Sequence, residues 1–358
     1  MAEALVSHSP ALLAARSRTV RHVTWIALAA LLVVPWVQPD KFVLHVLSLI
    51  AIASIVAMGL QLLLGGSGQL SIGQAAFYGI GAYTSALLTT KLGVAFPLAL
   101  IAAGIAAAIA SLLMVPITRL TGAYLAVATL GFSILVYLVI QNEEWLTGGS
   151  YGFIGIPRAS LFGFVLRDAM YSYYLCVGVA AIIYLVFARI EGTRFGRAIN
   201  AVRQDADAAA ASGLRVTFLK SQCFVIAAFV AGLAGSLYAH EVRYLAPNDF
   251  TFWKSIEILI MVVIGGIGSL PGAILGAAVL VGLPEILREI GDYRMLVFGA
   301  TLMATMLFGE GGLAALLAAV GRRSAALWMR IVPSLPWSGR KKAALPADTE
   351  IACKETRP

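Results

Sequence analysis

Runs of apolar residues long enough to cross a lipid bilayer recur along this chain, and they restrict its fold more than any other feature. No water is present in hydrocarbon to satisfy a backbone amide. Such runs must therefore be helices that make their hydrogen bonds internally. Ten candidates meet or approach the required ~20 residues: 23–37, 42–64, 72–90, 94–117, 122–140, 169–188, 221–240, 255–267, 272–290 and 295–307, the eighth and tenth being short. The expected fold is all-α, a polytopic membrane bundle of about ten transmembrane helices. Composition agrees, because a chain with 60% hydrophobic and only 12% charged residues has too little polar surface to cover a soluble globule.

Orientation follows from the basic residues. Arg16, Arg18 and Arg21 precede the first run, which contains Trp25, Pro35 and Trp36 and ends without a small-residue cleavage site. That pattern predicts a retained first helix with a cytoplasmic N-terminal segment, 1–22, rather than a cleaved signal. Alternation of the spans then puts Arg119, the basic stretch 194–220 and the basic tail 321–358 in the cytoplasm. Fewer cations, namely Lys41, Lys91, Arg158, Arg167, Arg243, Lys254 and Arg294, fall outside. Both termini are expected to be cytoplasmic, and the net charge of +8 reflects orientation rather than nucleic-acid binding. Cys176, Cys223 and Cys353 are too scattered for a disulfide framework or a metal cluster, so no metal site is expected.

Two connections stand out. The external stretch 141–168 is expected to fold over the outer face. Its Glu143 and Glu144, beside Trp145, either meet a basic partner or are solvated next to an interfacial Trp. In the tail, Pro333, Pro336 and Pro346 leave room for little order beyond an interfacial helix around 327–331.

The pattern apolar-Gly-Gly-x-Gly-x-Leu occurs twice, at 64–70 with Gly65, Gly66 and Gly68, and at 264–270 with Gly265, Gly266 and Gly268. It implies two halves with broken helices, flanking a pathway, or close packing, or plain turns. Six intervening spans make the repeats parallel. Gln61, Gln69, Ser71 and Gln74 cluster around the first copy, and Glu257 follows Lys254 by three residues. Glu257 either lines a pathway or pairs with Lys254 near the interface. Thr129 and Ser133 are expected to hydrogen-bond within their own helix. Histidines 8, 22, 45 and 240 suggest no shared site, and nothing indicates an enzyme.

Between 191 and 220 charge interrupts the apolar pattern. Ile199, Val202, Ala206 and Ala209 recur at helical spacing, while Arg197, Asn200, Gln204 and Asp207 point elsewhere, and Gly213 stops the segment. A short amphipathic helix is expected. Its Ala-rich face would enter a groove on another protein, with Arg197 and Arg203 meeting acidic residues at the rim, or it would rest on lipid headgroups.

These stretches resemble the permeases of branched-chain amino acid ABC importers, of the LivM/LivH type and nearest the LivM side. The resemblance runs from about 40 to 310, through GGSGQLSIGQAAFYGIGAY, GAYLAVATL, LTGGSYG, GRAINAVRQDADAAAASGL, AGLAGSLYA and SIEILIMVVIGGIGSLPGAILGA. It implies a permease domain spanning 23–320 in a bacterial inner membrane. Its partners would be a second permease, two cytoplasmic ATPases and an external substrate-binding protein. It also implies that the stretch at 196–214, within a coupling segment 191–220, is a cytoplasmic coupling helix, with Gly196, Arg197, Ala198, Ile199, Val202, Arg203, Ala209 and Gly213 its coupling residues. The pathway set would be Gly65, Gly66, Gln69, Ser71, Gln74, Thr129, Glu257, Gly265, Gly266 and Gly268. No GxxxxGK[ST] pattern is present, so ATP and Mg are expected on the partner ATPases and no cofactor on this chain. Gln74 and the stretch 307–311 depart from the family pattern. The substrates implied are leucine, isoleucine and valine, with urea or short amides as the alternative. An ion-coupled secondary transporter is a further alternative, which leaves the basic Ala-rich segment without a purpose.

Overall fold

A computed structural model describes residues 40–286 except 121, 162–163 and 166–167, together with the isolated positions 35, 299, 303, 312 and 313. The N-terminal segment and the tail lie outside the described residues, as do the first and tenth expected spans apart from those positions.

Asp40 starts helix α1 (Lys41–Gln61) by accepting from Phe42 N at 3.0 Å, and α1 closes in a wider π-type turn, Leu62–Gly66. Then follow α2 (Gln74–Lys91), α3 (Phe96–Leu112), a 3-10 turn at Val115–Arg119 and α4 (Ala123–Asn142). The connection over the far end contains α5 (Glu144–Thr147), β1 (Phe153–Ile154), β2 (Ser160–Leu161) and β3 (Phe164–Val165). Next come α6 (Ala169–Glu191), α7 (Arg194–Gln204), α8 (Ala206–Ala211), α9 (Val216–Val242), β4 (Tyr244–Leu245), α10 (Phe252–Gly265) and α11 (Leu270–Ile286). Each of the eight middle candidates is a helix, with shifted ends. The seventh begins at Val216 rather than 221, and so takes up the last part of the expected coupling segment.

Among the described residues, four helices are long and apolar enough to cross a membrane: Lys41–Gly66, Ala123–Asn142, Ala169–Glu191 and Val216–Val242. Phe96–Leu112 and Leu270–Glu285 are apolar but shorter. The less apolar α2 lies inside the bundle, packed on α9, α3 and α4, so protein rather than lipid surrounds it.

The bundle is built around α9, which packs on α2, α3 and α1, while α11 packs on α1 and α10. Glycine brings α9 and α2 together. A β-carbon on Gly81 would run into the carbonyl oxygen of Gly232, and one turn on Ser236 Oγ donates to Ser85 Oγ at 2.7 Å. Small residues and interhelical hydrogen bonds are what hold helices together when the surroundings are as apolar as the core. Aromatic packing of Phe77 against Phe132 and Phe224 fills the space beside this contact.

The exterior confirms the surroundings. Leu98, Ile101, Ile105, Ile109 and Leu112 form an exposed stripe at helical spacing on α3, and Ile182, Leu185 and Val186 are exposed on α6. Inside, by contrast, Ser48, Ser85, Thr118 and Ser236 are buried. Ser48 satisfies its hydroxyl by donating to Leu44 O one turn back, at 2.9 Å. Cys176 and Cys223 are buried free thiols.

The 141–168 connection folds over one end of the bundle. Its β1 strand pairs antiparallel with β4, Phe153 opposite Leu245, while β2 and β3 form a hairpin. Lys91 Nζ donates to Trp145 O at 2.9 Å, and Trp145 Nε1 donates to Glu143 at 2.7 Å. Glu143 is thus engaged within its own loop. Opposite this far end lies the end that carries α7.

Candidate functional site

Thr193, extended at φ −83 and ψ 174, caps α7 by accepting from Gly196 N at 3.3 Å and anchors it by donating to Ile190 O at 2.7 Å. The expected single helix is two. Asp205, at φ −155 and ψ 110, leaves the helical conformation and caps α8 by accepting from Asp207 N and Ala208 N. A side chain that bonds its own backbone two and three residues on favours such a break. Gly213, at φ 87, then turns the chain into α9.

The apolar face of this pair of helices is used within the chain, which corrects the expectation of a docking face. Ile199, Val202 and Ala209 are 2%, 3% and 5% exposed, and Gly196 is also buried. Arg197, Asn200, Gln204 and Asp207 are exposed, and Ala198 is half-buried. What remains open is the polar face of α7 together with Ala208, Ala210 and Ala211 of α8.

Beneath α7 the two glycine motifs meet. They are turns rather than breaks within helices, the first joining α1 to α2 and the second α10 to α11, and both lie at the α7 end, so they are not inverted relative to one another. A β-carbon on Gly65 would lie 2.8 Å from Gly268 N. The Gln61 carboxamide, oriented as the donors around it require, accepts from Gly268 N and from Ser269 N at 2.6 Å. Ile199 Cγ2 lies 3.4 Å from where a β-carbon on Gly66 would be. Arg203 Nη1 donates to Gly65 O, and the same nitrogen lies 3.1 Å from the β position of Gly268, whose φ is 92. Arg203 therefore turns toward its own chain and spans both motifs, where an acidic rim on a partner was expected. Gly265 and Gly266 complete the second turn.

A second group gathers at the start of α2. Ile72 N donates to Thr129 Oγ1 at 3.0 Å, Gly73 N to Ser71 Oγ at 3.4 Å and Ala75 N to Ser255 Oγ at 3.0 Å. Thr129 also donates to Ala126 O within its helix, as expected, but its second role is to tie the α1–α2 connection to α4. Gln69, Gln74 and Ser133 are at most 3% exposed, and their side-chain polar atoms have no hydrogen-bond partner among the described residues. Each such group costs about 1–3 kcal/mol.

Glu257 lies apart from both groups. It pairs with Lys254 at 2.9 Å, the two side chains being 37% and 32% exposed. The pair borders a cavity of about 290 Å³ between α1, α2, α9, α10 and α11, lined also by Tyr78, Tyr238 and Met261.

Sequence reasoning missed a further constellation at the far end. Two of the supposedly unrelated histidines share a cavity wall there, which overturns their reading as scattered. His45 Nδ1 lies 2.8 Å from Glu241 Oε1, and His240 Nδ1 lies 2.8 Å from Pro157 O. A carbonyl only accepts, so Nδ1 of His240 carries a proton, and its Nε2 lies 3.0 Å from Ser85 Oγ. The polar run His240-Glu241-Val242-Arg243 after an apolar segment was the available signal, but only the fold brings His45 to it.

The family model for the permease component of the branched-chain amino acid transport system matches residues 42–306. The chain is 34% identical over 320 residues to the high-affinity branched-chain amino acid transport system permease protein LivM of Escherichia coli (strain K12), covering 82% of this chain and 75% of the relative. It is 34% identical over 283 residues to LivM of Salmonella typhimurium (strain LT2), covering 72% and 67%. Similarity to the permease protein LivH of Escherichia coli (strain K12) is 24% over 289 residues, covering 72% and 91%. No solved structure matches.

Proposed function

Since the chain belongs to the branched-chain amino acid transport permease family, we propose that it is a transmembrane subunit of an ATP-driven importer of leucine, isoleucine and valine. A second, similar permease completes the pathway, as the presence of both LivM and LivH among its relatives supports. Two cytoplasmic ATPases bind at the α7 end, and an external binding protein delivers substrate at the far end. The chain lies in a bacterial inner membrane with both termini in the cytoplasm. ATP and Mg stay on the ATPases, because no phosphate-binding loop pattern occurs here.

The observation that carries this reading is the two-faced mounting of α7. Its polar face, with Arg194, Arg197 and Asn200, is open, while Ile199 and Arg203 hold its other face against both glycine turns. A push on the open face is passed to the α1–α2 and α10–α11 hairpins together. Burial of Ile199 and Val202 contributes about 1.5–3 kcal/mol each, enough to make α7 move with the turns rather than slide over them. Closure of the ATPases on ATP would move α7 and shift the hairpins between two arrangements, switching access.

Reconstitution tests this. Proteoliposomes holding this chain, its partner permease and the ATPases should accumulate labelled leucine when ATP and the binding protein are supplied. Leucine flux driven by an ion gradient through this chain alone, with no response to ATP, would refute it.

A further inference from the structure

The far-end cavity, about 470 Å³, falls within the roughly 300–1,000 Å³ of small-ligand sites. It is set between the start of α1, the start of α6 and the end of α9. Charges of both signs line it. Lys41, Arg158 and Arg243 supply cations, and Asp168 and Glu241 supply carboxylates. Asp168 begins α6 without spending its carboxylate on a cap. The Glu241 side chain is only 8% exposed, and one of its oxygens takes His45, which leaves accepting capacity on a buried carboxylate. Leu44, Ala169 and Met170 add an apolar wall.

Arg243 is held here by the backbone. It ends α9 at φ 62 and ψ 11, the left-handed conformation that side-chain-bearing residues rarely adopt, with its amide donating to Ala239 O at 2.9 Å. Glycine is the residue most suited to that position. Strain of this kind concentrates where a side chain is used.

We propose that this cavity binds the zwitterionic head of an α-amino acid. The carboxylate meets Arg243 and its neighbouring cations, the ammonium meets Glu241 and Asp168, and a branched aliphatic side chain lies on Leu44 and Met170. The choice of amino acid rests on the importer reading given above. The site is a receiving station on this chain, separate from the α7 junction and from the binding protein.

Saturation-transfer NMR on L-leucine, with the full chain in lipid nanodiscs and no other subunit, tests the site directly. Saturable transfer to the leucine methyls is expected, displaced by valine but not by leucinamide or 4-methylpentanoate, each of which lacks one of the charges. Arg243→Gly removes the side chain at a position glycine favours, so the fold is retained, and it should weaken binding at least about tenfold. Glu241→Gln should do the same. Unchanged leucine binding in both variants, or equal displacement by the singly charged analogues, overturns the site. So does lost uptake by the assembled importer with leucine binding to the isolated chain intact, because the charges would then serve only docking of the binding protein. Leucine uptake by the unaltered importer separates the two readings: if uptake is present and the variants transport normally, the site alone fails, whereas absent uptake counts against the importer reading.

Discussion

At the scale of single residues, the side chains that matter are those whose environment fails to satisfy them or satisfies them unusually. Gln74 is 1% exposed with both amide atoms unpartnered among the described residues. Replacing such a group by an apolar one of similar volume is nearly neutral or stabilising. Gln74→Leu is therefore expected to leave thermal stability in detergent unchanged or raised by about 1 kcal/mol, while leucine uptake falls. Unchanged uptake would show that the amide takes no part in transport. Glu257 is the opposite case. Its partner Lys254 is one turn away and both are about a third exposed, so the pair contributes little after solvent screening. Glu257→Gln should keep uptake within about twofold and stability within about 1 kcal/mol. A transport-dead but folded variant would place Glu257 in the pathway after all.

At the scale of elements, two contacts carry the load. The first is the crossing of α2 and α9, where backbones touch at Gly81 and Gly232. Gly232→Leu would push the helices apart and break the Ser85–Ser236 bond, so the chain should fail to reach a stable folded state. Recovery of native amounts of monodisperse protein by size-exclusion chromatography would contradict that packing. The second is α7, whose inner face is buried against its own chain and whose outer face, with Arg194, Arg197 and Asn200, is exposed. Arg197→Glu reverses a charge on the outer face, where among the described residues its side chain donates to Gly192 O, at 3.0 Å. The variant should fold normally yet lose ATPase binding in pull-down from membranes. Undiminished capture of the ATPases would remove the outer face from the interface. Gly196→Pro is a poor probe by comparison, because Gly196 is buried and its amide is bonded to Thr193, so a loss of transport there would report misfolding.

At the scale of the whole molecule, the helical bundle was legible because bilayer thickness writes itself into run length, and each middle run became a helix. The ends were less legible, because α2 is enclosed by protein and α10 has only 14 residues, fewer than a bilayer-spanning run. The Ile199, Val202 and Ala209 stripe was readable as an amphipathic face. Periodicity cannot say which body covers such a face, and here the chain covers it itself. Nor could sequence place Arg203, separated by 138 positions from the Gly65 carbonyl it binds, or bring His45 to Glu241 across 196. Long-range pairings of this kind arise only from the packing of α1, α7 and α9. The result is a molecule with a charged cavity at one end and a short amphipathic helix seated on two glycine turns at the other, joined by helices that pack through small residues.

Leucine transported per ATP hydrolysed by the reconstituted complex tests most directly the proposed role of Arg203 in linking α7 to the two hairpins. With Arg203→Ala the complex should assemble and hydrolyse ATP near the unaltered rate, while leucine transported per ATP falls at least about tenfold and Arg203→Lys, lacking the guanidinium fork, recovers only part. An unaltered ratio in Arg203→Ala would contradict the account.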